Sequence, residues 1–562
     1  MNIKNIVFLS LLLMLVTPAY FSLSAQTLPD LQKPEKPITF TDRGFYISGE
    51  KIRFSVFNIS TKKYQAISNV AYLELVSANG TIIAKGKFQI NKQKANGCLT
   101  IPSNLPTGNY YLKTYTRYLQ NFGTNYYFFV PVTIINPYLS AIASGTDTLV
   151  FRKSINAKKN ISQFLSIKTN KQKFSPGDII NISIAKNTDD ANAIQQISVS
   201  VIPQFTTPNL GNVLSSGITK KLKKLYFIPE TRGITITGIL RDSITKKHLP
   251  ETRINLSIVG PDNDYIPAKT NKNGEFNISL PDNYGYHDIF VSTENINHQH
   301  PQILIENDFS HLPVHLPNPP LHLSGNQKET GLKMAKNYQI RKAYYKNLLC
   351  TNSNVQNDSI PFYGKPSFVL ALDQYVELPS LEEYFNELPS IVKIRAKNNK
   401  KYFKIIGPQP GMVNFKPLVM VDNVAIDNPD KILAASPSEI ARIEVVNRLY
   451  VKGNYSFGGV INIISKHHDF AAIDLPKSGI FMNYLFFSDT CNCRPEMHFK
   501  NNIPDAKNTL YWNPSLNIKN NTPVTINVIA PETPNIYIIV LQGINSRGKP
   551  FLIKKTIEVT KN

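Results

Sequence analysis

Residues 45–57 read FYISGEKIRFSVF. After the turn formers Ser48, Gly49 and Glu50 the chain alternates strictly. Ile52, Phe54 and Val56 fall on one face of a strand, and Lys51, Arg53 and Ser55 on the other, because successive strand side chains point to opposite faces. The pattern predicts a half-buried strand. KFSPGDIINISI, residues 173–184, echoes it. Gly177-Asp178 stands roughly 128 positions after Gly49-Glu50, and Ile180, Ile182 and Ile184 take the places of Ile52, Phe54 and Val56. Between the two lie NVAYLELVSANGTIIAKGKFQI, a hairpin turning at Asn79-Gly80, and GCLTIPSNLPTGNYYLKTYTRYL, where Tyr111, Lys113 and Tyr115 alternate against Tyr110, Leu112 and Thr114. These tyrosines suit sandwich core and rim, or the stacking of a ligand. Short alternating runs broken by Gly, Pro, Asn and Asp continue along the chain, so the expected fold is mainly β, built of tandem sandwiches.

The 562 residues suffice for three to five domains of ordinary size, and the 42% hydrophobic and 10% aromatic content is enough to give them cores. Lys4 followed by the apolar run 6–16, with Ser22, Ser24 and Ala25 after it, has the form of a signal peptide over residues 1–25. The expectation is an exported protein, in the periplasm or associated with the outer membrane of a Gram-negative bacterium. No later run approaches the length of a transmembrane helix. The net charge of +23, from 62 basic and 39 acidic residues, fits an anionic partner, but the lysines are dispersed. No nucleic-acid partner is expected. Cys98, Cys350, Cys491 and Cys493 make no disulfide framework. Cys491-Asn492-Cys493 suits a metal or redox pair, or a loop bridged to Cys350.

Seven segments follow from the pattern: the signal peptide, a sandwich at 36–137, a second sandwich at 160–230, an Ig-like unit at 231–300, a linker with a helix at 301–359, a small α/β unit at 360–475, and a C-terminal Ig-like β domain at 476–562. In the Ig-like unit at 231–300, Asn273-Gly274 marks a hairpin, with Phe276, Ile278 and Leu280 on one face. Pro313, Pro317, Pro319 and Pro320 punctuate the linker. His298, His300, His311, His315 and His322 sit in or beside it, as tether residues or, with poor ligand spacing, as metal ligands. Residues 332–349 predict a helix through Met334, Ile340, Leu348 and Leu349, and residues 379–389 a shorter one with Ser380 at its start and Glu382 and Glu383 at its positive end. In the α/β unit, 390–397 and 401–407 are strands, and 417–426 a hairpin around Asp422-Asn423. Residues 436–447 begin a helix, with Ser436 as cap, Pro437 in the first position and Glu439 completing a capping box, before a strand. Trp512, the only tryptophan, stands in the tail as a core anchor or a ligand platform.

Residues 36–137 resemble the macroglobulin-type MG2 sandwich, through TDRGFYISGEKIRFSVF and IPSNLPTGNYYLKTYT. Macroglobulins proper carry a thioester built on GCGEQ; Gly97-Cys98-Leu99-Thr100 departs from it, which argues against a covalent protease trap. Residues 231–300 look like the carboxypeptidase regulatory-like domain. Within 360–475 the order of Asp422 and Asn423, Ser436 and Glu439, Ile443, Glu444 and Val445, Tyr450, Gly453, then Gly458, Gly459, Val460, Ile461 and Asn462 looks like the plug of a TonB-dependent receptor. Plugs usually have Asp-Gly where this chain has Asp422-Asn423. Barrels of that family have 22 strands, whereas 96 residues follow Lys466, so the resemblance implies a plug-like unit without the barrel. The whole order is similar to exported multidomain proteins of the Bacteroidetes.

HExxH, GxSxG, the P-loop and the thioester motif are absent from the sequence. The expectation is a non-enzymatic envelope binding or scaffold protein, with no cofactor and no metal, engaging a protein or glycan partner. The alternative is an accessory of a TonB-dependent uptake system working with a separate outer-membrane barrel.

Overall fold

The computed structural model describes residues 33–59, 66–143, 165–186, 194–213, 225–294, 300–344, 360–388, 391–397, 400–489, 505–518, 522–545 and 548–561. The signal segment therefore lies outside them, as do His298, Cys350, Cys491 and Cys493. Cys98 is disulfide-bonded. The chain is mainly β.

The first sandwich pairs the sheet of Pro37–Thr41, Lys51–Asn58 and Lys94–Thr100 with a sheet running through Ile82–Gln89, Val70–Val76, Gly108–Tyr115 and Phe128–Ile135. Ile52, Phe54 and Val56 face inward as the alternation predicts, and Phe54 meets Phe88 edge-on at 4.7 Å. Gly80 supplies the left-handed residue of the hairpin turn. The second sheet is buried on both faces: every residue of Val70–Val76 is inaccessible. Its outer face carries Tyr72, Tyr115 and Tyr127, stacked with centroids 5.4 and 4.5 Å apart. They share a core with Ile236, Leu256 and Ile278 of the neighbouring unit, so these tyrosines are core residues.

That neighbour packs the sheet Glu275–Ser279, Thr235–Asp242 and Pro301–Ile305 against the sheet Asp264–Lys269, Arg253–Val259, Tyr286–Thr293 and Ile480–Leu485. Two sequence boundaries are corrected here. Residues 301–305, expected in the linker, form a strand on Thr235–Asp242, and residues 480–485, expected in the tail domain, extend the second sheet. In both cases an edge strand is supplied from beyond the intervening chain. Residues 306–324 lie extended along the first sandwich, with Val314 and Leu316 buried there. The helix runs over Gly325–Tyr344, earlier than expected, because Ser324 and Gln327 form a capping box with bonds of 3.3 and 2.9 Å.

The larger correction concerns the segments at 160–230 and 476–562. They are one sandwich. Ile179–Lys186 lies between Leu165–Thr169 and Val524–Ile529, with Ile180, Ile182 and Ile184 opposite Val528, Ile526 and Val524. Ile194–Pro203 pairs with Asn535–Asn545, which in turn pairs with Pro550–Val559. The physical reason is strand number: the few strands available at 165–213 cannot cover their own apolar faces, and three or more with packing are needed. Trp512, on the short edge strand Tyr511–Asn513, is half-buried and outside that core, while its neighbour Tyr511 packs on it. Gln542 donates to the Thr41 carbonyl at 2.7 Å, and Asn508 to Glu50 at 2.8 Å, fastening this sandwich to the first.

The α/β unit has a sheet in the order Phe368–Ala371, Ile440–Val446, Val460–Ser465, Leu418–Val421, Val424–Ala425, with Leu418–Val421 parallel to the central strand. Leu381–Glu387 is the predicted short helix, capped by Ser380. The predicted helix after Ser436 is absent. Pro437–Glu439 is a single 3-10 turn; the Ser436 hydroxyl bonds Ser438 and makes no cap. The β-branched run from Ile440 has already begun its strand, so no helix can propagate. The helix of this region is Pro429–Leu433, capped by Asn428.

Candidate interaction site on the α/β unit

The central strand Val460–Ser465 is wholly buried. Gly458 and Gly459 are what let it enter the sheet. A β-carbon at Gly458 would stand 2.3 Å from the Phe415 carbonyl oxygen, and one at Gly459 2.4 Å from that of Val446. Gly459 also has a φ of +100°. From there alternation divides the strand. Ile461 and Ile463 enter the core with Ile443 and Val445, beneath the two short helices. Val460 and Asn462 turn to the other face.

On that face a polar chain crosses the sheet. The Asn462 amide donates to the Tyr363 hydroxyl and to the Asn423 side chain, both at 2.9 Å, and its oxygen accepts from the Asn423 backbone at 3.2 Å. Tyr363 donates in turn to Glu444, whose other oxygen accepts from Arg442 at 2.7 Å. Burial, foremost, holds the Tyr363 phenol well above its ordinary range. Asp422 and Asn423 both adopt left-handed backbone, with φ of 45° and 69°, so the hairpin turns without the usual glycine. Asp422 accepts from the Ser465 hydroxyl at 2.6 Å and from the backbone of Ser465 and Phe470 at 2.9 Å.

Beside this chain Val460, Leu418, Met420 and Val446 join Tyr363, Phe457 and Tyr265 in one apolar cluster. Tyr265 belongs to the neighbouring sandwich and meets Phe457 edge-on at 6.0 Å. Tyr450 packs half-buried on the cluster, in a hairpin of Tyr450–Lys452 and Tyr455–Phe457 that turns at Gly453, close over Pro267. Polar bonds close the seam: Lys452 to Asp264 at 2.5 Å, Tyr455 to the Ala268 carbonyl at 3.1 Å, and Arg253 to Asp427.

Twelve of the residues singled out in the sequence thus converge on one sheet and its seam; Ser436, exposed, and Glu439 lie apart on the 3-10 turn. Their work is to build and seat the unit. Alongside the seam opens a cleft of about 460 Å³, lined among others by Glu294, His300, Asp427, Asn428, Lys431 and Lys477. It draws on four separate stretches of chain, and no local pattern announces it. Among the described residues no group of three or more His, Cys, Asp or Glu side chains could hold a metal ion.

No family model matches the chain, and no curated protein matches it. Among solved structures, trypsin-activated alpha-2-macroglobulin from Escherichia coli aligns with 97% of this chain and 43% of its own length, at 8% identity and a TM-score of 0.24. Salmonella alpha-2-macroglobulin reacted with methylamine aligns with 97% and 41%, at 7% and 0.23. The Escherichia coli adhesin FdeC aligns with 48% of this chain and 64% of its own, at 8% and 0.14. The chain spans less than half the length of these macroglobulins. Values this low transfer neither domain identity nor function.

Proposed function

We propose that this chain is a non-enzymatic binding and scaffold protein of the bacterial cell envelope, exported to the periplasm or the outer-membrane surface. Its sandwiches form a frame, and the α/β unit, which resembles a receptor plug, is the module it presents to a protein or glycan partner. The observation carrying this reading is that the unit's conspicuous polar residues are spent on structure. Asp422, Glu444 and Asn462 are each engaged by donors or acceptors of the unit itself, and Arg253 and Lys452 meet the carboxylates that fix it to the frame. A module seated so firmly offers its outward faces for docking. The test is affinity capture from solubilised envelope fractions together with cell fractionation. Association with the envelope and a reproducible partner are expected; purely soluble protein with no partner contradicts the reading.

A second reading, an accessory to a TonB-dependent uptake system with a separate barrel, is supported by the paired left-handed residues Asp422 and Asn423 and the glycine-led central strand, which stand in plug order. A barrel recovered in the same capture favours it.

A further inference from the structure

The hairpin of Val392–Lys397 and Lys400–Ile405 has two unlike faces. Val392, Phe403 and Ile405 turn inward, and Phe403 lies 5.0 Å from Phe385 of the helix beneath. The outward face carries Lys393, Arg395 and Lys397 on one strand and Lys404, Tyr402 and Lys400 on the other. The register sets Lys393 opposite Lys404 and Lys397 opposite Lys400, with Arg395 opposite Tyr402 between them. Arg395, Lys397, Lys400 and Tyr402 are exposed, Tyr402 at 38%. Lys401, on the inward side, pairs with Glu382 at 2.6 Å. Among the described residues none of the five outward cations has an acidic partner.

Like charges directly opposite one another destabilise a strand pair. Two such pairs flanking an arginine weaken this hairpin unless an anion lies across them. Along Val392–Lys397 the cations recur about every 6.7 Å, along Lys400–Ile405 two of them flank Tyr402 about 13 Å apart, and the strands lie about 4.8 Å apart, so the face is a narrow ribbon of positive charge. A ribbon suits a single polymer chain. The one side chain in it without a charge is a tyrosine, whose ring offers an apolar body with a polar tip. Anchoring in a lipid surface calls for apolar side chains beside the cations, and this face has none but Tyr402.

We infer that the outward face of the strands Val392–Lys397 and Lys400–Ile405 binds an acidic polysaccharide, its carboxylate or sulfate groups on the five cations and a sugar ring on Tyr402. This rests on the α/β unit being a binding module and names its ligand class.

The test measures binding of the purified full chain to polygalacturonate, heparin and neutral dextran, with anionic phospholipid vesicles and single-stranded DNA as further arms. Saturable, salt-sensitive binding to the acidic polysaccharides and none to dextran is expected. Lys397→Glu with Lys400→Glu weakens it at least about tenfold, and Tyr402→Ala by several fold, with unchanged thermal unfolding. Lys397→Gln with Lys400→Gln, which adds no new charge, weakens it in the same direction. Reversal of the exposed Lys92, on the first sandwich, and Lys272, on the Ig-like unit beside it, leaves it unchanged. Three results overturn the inference: no binding to either acidic polymer, equal loss on reversing Lys92 and Lys272, or tighter binding to vesicles or DNA that survives Tyr402→Ala. A protein partner captured from envelopes by a chain that binds no polysaccharide leaves the broader reading standing and removes this one.

Discussion

Glu230 shows how a single buried group ties units together. It accepts from both the Tyr72 hydroxyl of the first sandwich, at 2.9 Å, and the Thr235 backbone of the next unit, also at 2.9 Å. Nearby, Asp308 holds Lys87 and Tyr484, both at 2.6 Å. Burial, foremost, pushes the Glu230 carboxyl from 4.5 up to about 7. A raised carboxyl pKa means the folded chain keeps a proton that the unfolded chain releases between those values. Stability therefore falls as pH rises through that window, and the penalty is full above about 7, on the order of 3 kcal/mol. Glu230→Gln, which keeps an acceptor oxygen and removes the charge, is expected to raise the unfolding midpoint at pH 8 and to lose that advantage below pH 5. Thermal melts at the two pH values check it; an equal gap at both contradicts it. Residue chemistry of this kind was partly legible. The alternation of Ile52, Phe54 and Val56 reads directly from sequence, but the burial of Glu230 depends on packing from a unit more than a hundred residues away.

At the scale of elements, strands were more legible than their partners. The runs at 51–58 and 179–186 announce themselves by local alternation, which needs no knowledge of the fold. Helix starts were less so: Ser436-Pro437 carries the chemistry of a cap, yet the β-branched residues after it fix a strand, while the box at Ser324 and Gln327 begins the longest helix among the described residues. Partnership was hidden, because cross-strand contacts are not local. Val524–Ile529 joins Ile179–Lys186 across more than three hundred residues. It follows that the segment 165–203 depends on the tail. A chain ending at residue 489 is expected to lose amide protection throughout 165–203, where Ile180, Ile182, Val199 and Val201 are left uncovered, while the central strand at 460–465 keeps its own. Hydrogen exchange decides it. Retained protection in 165–203 contradicts the composite sandwich.

For the whole molecule, the chain completes the first sandwich, passes out through two more, builds the α/β unit, and returns through those two, with Ile480–Leu485 completing one and the strands Tyr511–Asn513, Val524–Ile529, Asn535–Asn545 and Pro550–Val559 the other. The unit is therefore an insertion held at both ends, and the seam of Tyr265, Phe457 and Arg253–Asp427 seats it on the sandwich that Ile480–Leu485 completes. The turn at Asp422-Asn423, the glycines at 458 and 459 and the central strand of the candidate site could be read in the sequence because such features leave local marks. Its outward cationic ribbon could not be assigned a face until the register paired lysine with lysine. The central claim is that this seated unit meets an envelope partner with its exposed surface. The most direct measurement places a photoreactive residue in living cells at Val376 or Val451, 85% and 58% exposed on the unit, and separately at Tyr265, buried in the seam. The account predicts a discrete crosslinked product to an envelope component from the exposed positions and none from Tyr265; products arising only from the sandwiches, or none from the α/β unit at all, would contradict it.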